Sequence, residues 1–237
     1  MGRRTSLGAL IVLLALVGWA VSSWLPDEAP GAGHAPPPAE TSSAARPVDV
    51  RAVRGDLASL ATVARRPVGV AAYERSVFGG SWTDSDGNGC NQRDDVLLRD
   101  AVEVRTRPQG RCDHDVIAGT WIDPYTGRRL AFTDLKEPRQ AQAIQIDHVV
   151  PLAEAWRSGA SEWEAERRRA FANDLDNLLA VDGPTNMSKS DDDPAGWRPR
   201  KAFQCAYATR WIETKAHWSL AIDDSERRAL GEMLGYC

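Results

Sequence analysis

An α+β domain is the fold class this sequence predicts, and three observations predict it. Two short apolar runs, 146–152 and 178–181, have strand length and strand composition and flank a stretch with helical periodicity. A further pair, 116–122 and 128–132, brackets Asp123-Pro124-Tyr125-Thr126-Gly127, a turn sequence that closes a β-hairpin. After Pro199, the residues Ala202, Phe203, Ala206, Tyr207 and Trp211 recur at the spacing of a buried helix face.

In chain order, Arg3 and Arg4 precede an apolar stretch from Leu7 to Trp19 that continues weakly to Leu25, so residues 1–25 read as an export signal. Ala20-Val21-Ser22 is a mediocre cleavage site, and about 19 apolar residues can also span a bilayer as a signal anchor. Residues 26–50 are rich in Pro, Ala, Gly and Ser and form a disordered tether, with His34 inert within it. Residues 51–237 form the domain. Helices are expected over 56–63 and 71–77 and a short one over 94–99, followed by the hairpin. Ser161-x-x-Glu164 forms a capping box opening a helix on which Trp163, Ala170 and Phe171 share a face, and Asp223-x-x-Glu226 opens a last helix with Leu230, Met233 and Leu234 inward. Hydrophobic residues at 43% and charged residues at 26% suffice for one ordinary core. The net charge of −4 excludes a protein that binds nucleic acid by bulk charge, so any such binding needs a local groove.

The residues with the clearest chemistry lie in the paired apolar runs. Asp147 and His148 are adjacent on a strand and leave it on opposite sides. The turn Asp182-Gly183-Pro184 opens a helix that presents Asn186 and Lys189 three positions apart. Hydrolysing a phosphodiester needs an activated water and neutralisation of charge on the phosphoryl and leaving oxygens. One carboxylate and one amide oxygen suit a hard ion, so Asp147 and Asn186 are candidate ligands for a single Mg²⁺ or Mn²⁺. His148, with an ordinary pKa near 6.5, is the candidate base, and it predicts an acid limb in the rate near that value. Lys189 is a candidate phosphate contact, and Arg198, Arg200 and Lys201 are candidate nucleic-acid contacts.

This pattern resembles the HNH endonucleases, also called His-Me finger or ββα-metal nucleases. The resemblance implies Asp147 as metal ligand, His148 as general base, Asn177 as the residue organising the loop between the strands, and Asn186 as second ligand, on a finger core of about 144–192. The run Asn186 to Asp191 is similar to the same stretch of the HNH domain of the CRISPR effector nuclease. Phe78-Gly79, Trp82, the 84–90 run, Arg93, Arg99-Asp100, Gly119-Thr120-Trp121, the 123–127 turn and Ala155-Trp156 look like an exported bacterial HNH group. That group is related to the C-terminal domain of GmrSD-type restriction endonucleases. Gln92 stands where such proteins often carry Thr.

Four cysteines, Cys90, Cys112, Cys205 and Cys237, in an exported chain imply two disulfides. Three pairings are open, and pairing neighbours within each half gives Cys90 with Cys112 and Cys205 with Cys237. No C-x-x-C supports zinc. Asp84, Asp86, Asn88, Gly89 and Asp95 fall at positions one, three, five, six and twelve of a calcium loop, so they are a candidate structural Ca²⁺ site; an Asx-rich turn is the other reading. Arg75, Arg93 and Arg99 suit internal pairing and phosphate contact equally, and His114 and His217 read as surface or packing residues. The tryptophans Trp82, Trp121, Trp156, Trp163, Trp211 and Trp218 read as packing anchors, while Trp197 is placed to stack on a base. The functional expectation is a metal-dependent endonuclease cutting DNA, and RNA as a second substrate, with little sequence preference and no stable protein partner. It would be secreted or held on the outer face of the cytoplasmic membrane by residues 1–25 alone. A non-catalytic calcium-binding envelope module is the alternative.

Overall fold

The computed structural model describes residues 48–65 and 68–237, so the export segment and almost all of the tether lie outside the described residues. The domain is α+β with two disulfides, Cys90–Cys112 and Cys205–Cys237. Helix α1 (Val50–Ser59) starts earlier than the apolar pattern suggests, because the Asp49 carboxylate caps it by accepting from the Arg51 and Ala52 amides, each at 3.1 Å. No helix forms over 71–77. The Ala71 carbonyl is instead taken by Trp156 Nε1 at 2.8 Å, and a single 3₁₀ turn (Arg75–Phe78) ends at Gly79 with φ 99°.

Helix α2 (Gln92–Asp100) leads into a three-stranded antiparallel sheet of β1 (Ala101–Gln109), β2 (Cys112–Ile122) and β3 (Arg129–Phe132), in that order. The expected hairpin is β2–β3. The edge strand β1 is unexpected, since most of its residues are exposed and it carries no apolar stripe; it tolerates Pro108 as an edge strand can. Helix α3 (Pro138–Ala143) runs into β4 (Ile144–His148), then come α4 (Leu152–Arg157) and α5 (Ala165–Ala172), and β5 (Leu178–Asp182) returns antiparallel to β4. Ser161 does not open α5. It sits in a 3₁₀ turn (Ala160–Glu162) and leaves Glu164 as an N-cap without a side-chain bond. Of the expected shared face, Phe171 is buried against Trp163, while Ala170 is exposed.

The β4–β5 ribbon lies between two cores. Ile144, Ile146, Leu178 and Ala180 face Trp121, Leu130 and Val96 on the sheet side. Leu179 and Val181, on the alternate face, join Tyr207, Trp211 and Ile212 of α7 (Lys201–Trp218). Burial on both faces explains why 178–181 is continuously apolar rather than alternating. After β5, the Asp182 carboxylate caps α6 (Gly183–Lys189) through Thr185. Gly183 is required there, because a Cβ would meet the Gln142 carbonyl at 2.4 Å. The last helix, α8 (Asp224–Met233), opens with the expected Asp223–Glu226 capping box. Among the described residues, no helix is long and apolar enough to cross a membrane.

Candidate active site

β4 and α6 meet at one end of the ribbon. In the ladder Asp147 pairs with Leu179 and shares its face, so the carboxylate turns toward the helical core. There Lys189 Nζ donates to Asp147 Oδ1 at 3.0 Å and Oδ2 at 2.9 Å, and to the His148 carbonyl at 2.9 Å. Tyr125 OH donates to Asp147 Oδ2 as well. The tyrosine is delivered by the β2–β3 turn, which docks on the end of β5 through the Asp182 amide donating to Asp123 Oδ1 at 3.2 Å. Burial opposes both charges of the ion pair, lifting the Asp147 carboxyl above its ordinary range and lowering Lys189, and each is the other's main counterweight. Burial and the adjacent Asp147 charge raise the Tyr125 phenol well above its usual value, so it remains a donor.

Lys189 therefore does not reach a phosphate. It is 0% exposed, and its ammonium is spent on Asp147 and the backbone of His148. A carboxylate offers about four lone-pair sites. Lys189 and Tyr125 occupy three on Asp147, which leaves one for an ion at the cavity. Asn186 supplies a second oxygen: its Nδ2 donates to Gln145 Oε1 at 2.9 Å, which orients the amide and leaves Oδ1 unengaged. The donor set is thus hard oxygen, as Mg²⁺ or Mn²⁺ prefers.

His148 Nε2 lies 2.8 Å from the Ala172 carbonyl, an acceptor only, so that nitrogen carries the proton and Nδ1 holds the lone pair. The ring stacks on Trp82, with centroids 5.6 Å apart and planes 16° apart. Burial lowers the imidazole pKa to about 3; the bond to the Ala172 carbonyl works the other way, and repulsion from Arg75 and Lys189 adds to the lowering. The ordinary value near 6.5 does not apply to this buried ring, which stays neutral through the physiological range. Asn177 is buried behind the pair. Its amide accepts from the Val150 N–H at 2.8 Å and donates to the Val150 carbonyl at 3.1 Å, clamping the chain that leaves β4.

A cavity of about 680 Å³ brings Asp147, His148, Gln145 and Asn186 together with Arg75 and Arg93. Arg93 is half engaged, donating to the Ala141 carbonyl at 3.3 Å, while Arg75 is exposed on the wall. The expected basic contacts lie elsewhere. Arg198 bonds Glu232 at 2.8 Å, Arg200 packs over Gly127 and bonds the Pro124 carbonyl, and Lys201 lies over the Tyr236 ring; none lines this cavity. Arg99 serves the fold, donating to the Leu175 and Leu178 carbonyls. Trp197 packs on Tyr125 and Tyr207, so the tryptophan lining the cavity is Trp82. Sequence reasoning passed over Tyr125 and Gln145. Gln145 was accessible, being two residues before Asp147 on the same strand face. Cys90, Cys112 and His114 also lie within metal-ligand reach of one another, but the two sulfurs are joined to each other and offer no thiolate.

A family model described as GmrSD restriction endonucleases, C-terminal domain, matches residues 91–233, which includes β4, β5, α6 and the cavity residues from Arg93 onward. The chain belongs to that family. A protein of Arthroderma benhamiae bearing only the description "Uncharacterized secreted protein" is 37% identical over 168 residues, covering 70% of this chain and 76% of the relative. This relative is fungal, so it bears on export and not on the bacterial origin expected from sequence. Membership supports a nuclease-like function acting on nucleic acid, and the secreted relative and two disulfides fit an extracellular location.

Proposed function

We propose that this protein is an exported, metal-dependent HNH endonuclease that hydrolyses phosphodiester bonds in DNA, and in RNA as a second substrate, with little sequence preference. The observation that carries this reading is the meeting, in one cavity, of a neutral imidazole with an unengaged Nδ1, a carboxylate with one free lone pair and an oriented amide oxygen. β4, β5 and α6 then constitute the ββα-metal core. Asp147 and Asn186 hold the ion and Lys189, with Tyr125, fixes the Asp147 carboxylate. A bound Mg²⁺ or Mn²⁺ supplies charge neutralisation at the phosphoryl and leaving oxygens.

His148 Nδ1 takes the proton from the attacking water, with Nε2 held on Ala172 so that the accepting lone pair cannot rotate away. A substrate phosphate brings negative charge beside Arg75, offsetting the Arg75 repulsion that adds to burial in weakening this base. Arg75 and Arg93 contact phosphate from the cavity wall, which supplies locally the positive charge that the acidic chain lacks overall. Residues 1–25 serve as signal peptide or anchor, 26–50 as tether and 51–237 as the nuclease domain; any membrane attachment is through the first of these.

The test is nicking of supercoiled plasmid by the purified protein with Mg²⁺ or Mn²⁺ against an EDTA control. His148→Ala lowers the rate by about 10²–10⁴-fold. Survival of the plasmid with either metal, or unchanged cutting by His148→Ala, would remove the proposal.

A further inference from the structure

We infer that residues 84–95 form a second metal site, a structural Ca²⁺ site separate from the cavity of Asp147 and His148. The loop spacing of Asp84, Asp86, Asn88, Gly89 and Asp95 raises the question, and an independent observation answers it. Among the described residues, four buried side-chain oxygens have no hydrogen-bond partner, and two of these are on carboxylates: Asp84 Oδ1 and Asp95 Oδ2. The other two are neutral hydroxyls of Tyr207 and Thr209. A buried carboxylate oxygen facing no donor is costly, and an ion is a standard remedy. The Asp95 side chain is only 9% exposed.

The surrounding geometry has the form of a cation loop. Asp95 sits in the first turn of α2, as position twelve does on the exiting helix of a calcium loop. The Asp86 and Asp95 carboxylates converge on one group, Asn88 Nδ2, at 3.1 and 3.0 Å, so positive charge is drawn to the point where they meet. Gly89 has φ 97°, and a Cβ there would meet the Arg111 carbonyl at 2.4 Å, so position six accepts only glycine. Cys90, at position seven, is tied to β2 through Cys112, which holds the loop against the sheet. His114 Nε2 reaches the other Asp95 oxygen at 2.8 Å, so this histidine buttresses the loop rather than lying on the surface without a partner. Ion binding turns the Asn88 amide out of its place between the carboxylates and presents its oxygen, which without an ion accepts from the Cys90 N–H at 2.7 Å. The donors are then all oxygen, from Asp84, Asp86, Asn88, the Cys90 carbonyl and Asp95. Five protein oxygens with room for water suit Ca²⁺, which takes six to eight, better than Mg²⁺.

The experiment is calorimetric titration of EGTA-stripped full chain with Ca²⁺ in excess Mg²⁺, beside thermal unfolding in the same buffers. The expected result is one Ca²⁺ per chain, kept in Asp147→Asn, with Tm raised by about 5–10 °C when Ca²⁺ is roughly a hundredfold above Kd. Asp84→Asn and Asp95→Asn each weaken binding by at least about tenfold, the loss that even outer partners of a bound metal bring. Should Asp95→Asn fail to fold, Asp86→Asn at an exposed position reads the same affinity. No saturable binding, binding unchanged in these variants, or binding lost in Asp147→Asn would each overturn the inference. The plasmid assay is a separate readout, so failure here leaves the nuclease reading standing.

Discussion

Lys189 and Lys215 are both 0% exposed and both held by carboxylates, yet the groups around them differ in number and in outlook. Lys189 meets one carboxylate, Asp147, whose remaining partner is the Tyr125 phenol and which lines a cavity. Lys215 meets two, Glu154 at 2.9 Å and Glu226 at 2.7 Å, and spends its third proton on the Ala221 carbonyl at 2.9 Å. Glu226 is further tied to Trp211 Nε1 and to the Asp223 amide, so this cluster joins α4, α7 and α8. The comparison separates two uses of a buried ammonium. Asp147 and Glu226 each accept three bonds, so the count does not separate them and the surroundings do. Where the carboxylate is shut in the core, as Glu226 is at 1% exposure, the cluster is a clip between helices; where it lines a cavity, as Asp147 does, the cluster holds a polar group open to a ligand.

Substitutions break the comparison in order of size. Lys215→Met leaves two buried carboxylates without a cation and costs about 3–5 kcal/mol in urea unfolding, with per-molecule cutting by the folded fraction unchanged; a variant as stable as the parent sinks the clip. Asp147→Asn lowers the initial rate of plasmid nicking by more than about a hundredfold, equivalent to about 2.7 kcal/mol, while Glu154→Gln leaves that rate unchanged. Equal effects of the two on rate would erase the distinction. Tyr125→Phe removes one donor from Asp147 and costs about 1–2 kcal/mol, with a rightward shift in the Mn²⁺ dependence of cutting that no clip residue reproduces.

The smallest signal is a slope. Burial, aided by Glu154 and opposed by Lys215, raises the Glu226 pKa from an ordinary 4.5 to about 7. The unfolded chain gives up this proton first, so the Glu226 contribution to stability falls as pH rises from about 4.5 to about 7. Glu226→Gln keeps the capping box and flattens that limb in urea midpoints taken at pH 5 and 7; an unaltered slope contradicts the raised value.

The β4–β5–α6 unit was readable from sequence because both faces of β4–β5 are buried, which writes two dense apolar runs, and because Asp182, Gly183 and Pro184 signal a helix start chemically. The same holds for the Asp223–Glu226 cap, whose signal is local. What stayed hidden was non-local. Trp82 and Arg75 are 66 and 73 positions before His148, and nothing in their own neighbourhoods marks the cavity they line. Lys189 misled for the opposite reason: a lysine in a last helical turn has the same local pattern whether it faces water or a buried carboxylate, and the β2–β3 turn that seals it in comes from elsewhere in the chain. Arg198, Arg200 and Lys201 formed a basic run in sequence, but carbonyls, Glu232 and the Tyr236 ring claim them in the fold.

Helix α1 is made early by the ribosome and satisfied late. Val53, Leu57 and Leu60 belong to the core closed by α7 and α8; the Leu60 carbonyl accepts from Arg227, and the strand-like bridge at Thr62 is to Ile222. Its partners lie some 160 residues further along the chain, so its apolar face stays uncovered until α7 and α8 have been made. Closing this core is therefore a long-range step, unlike the β1–β2–β3 sheet and the core against it, whose buried apolar residues all lie between Val96 and Ala180.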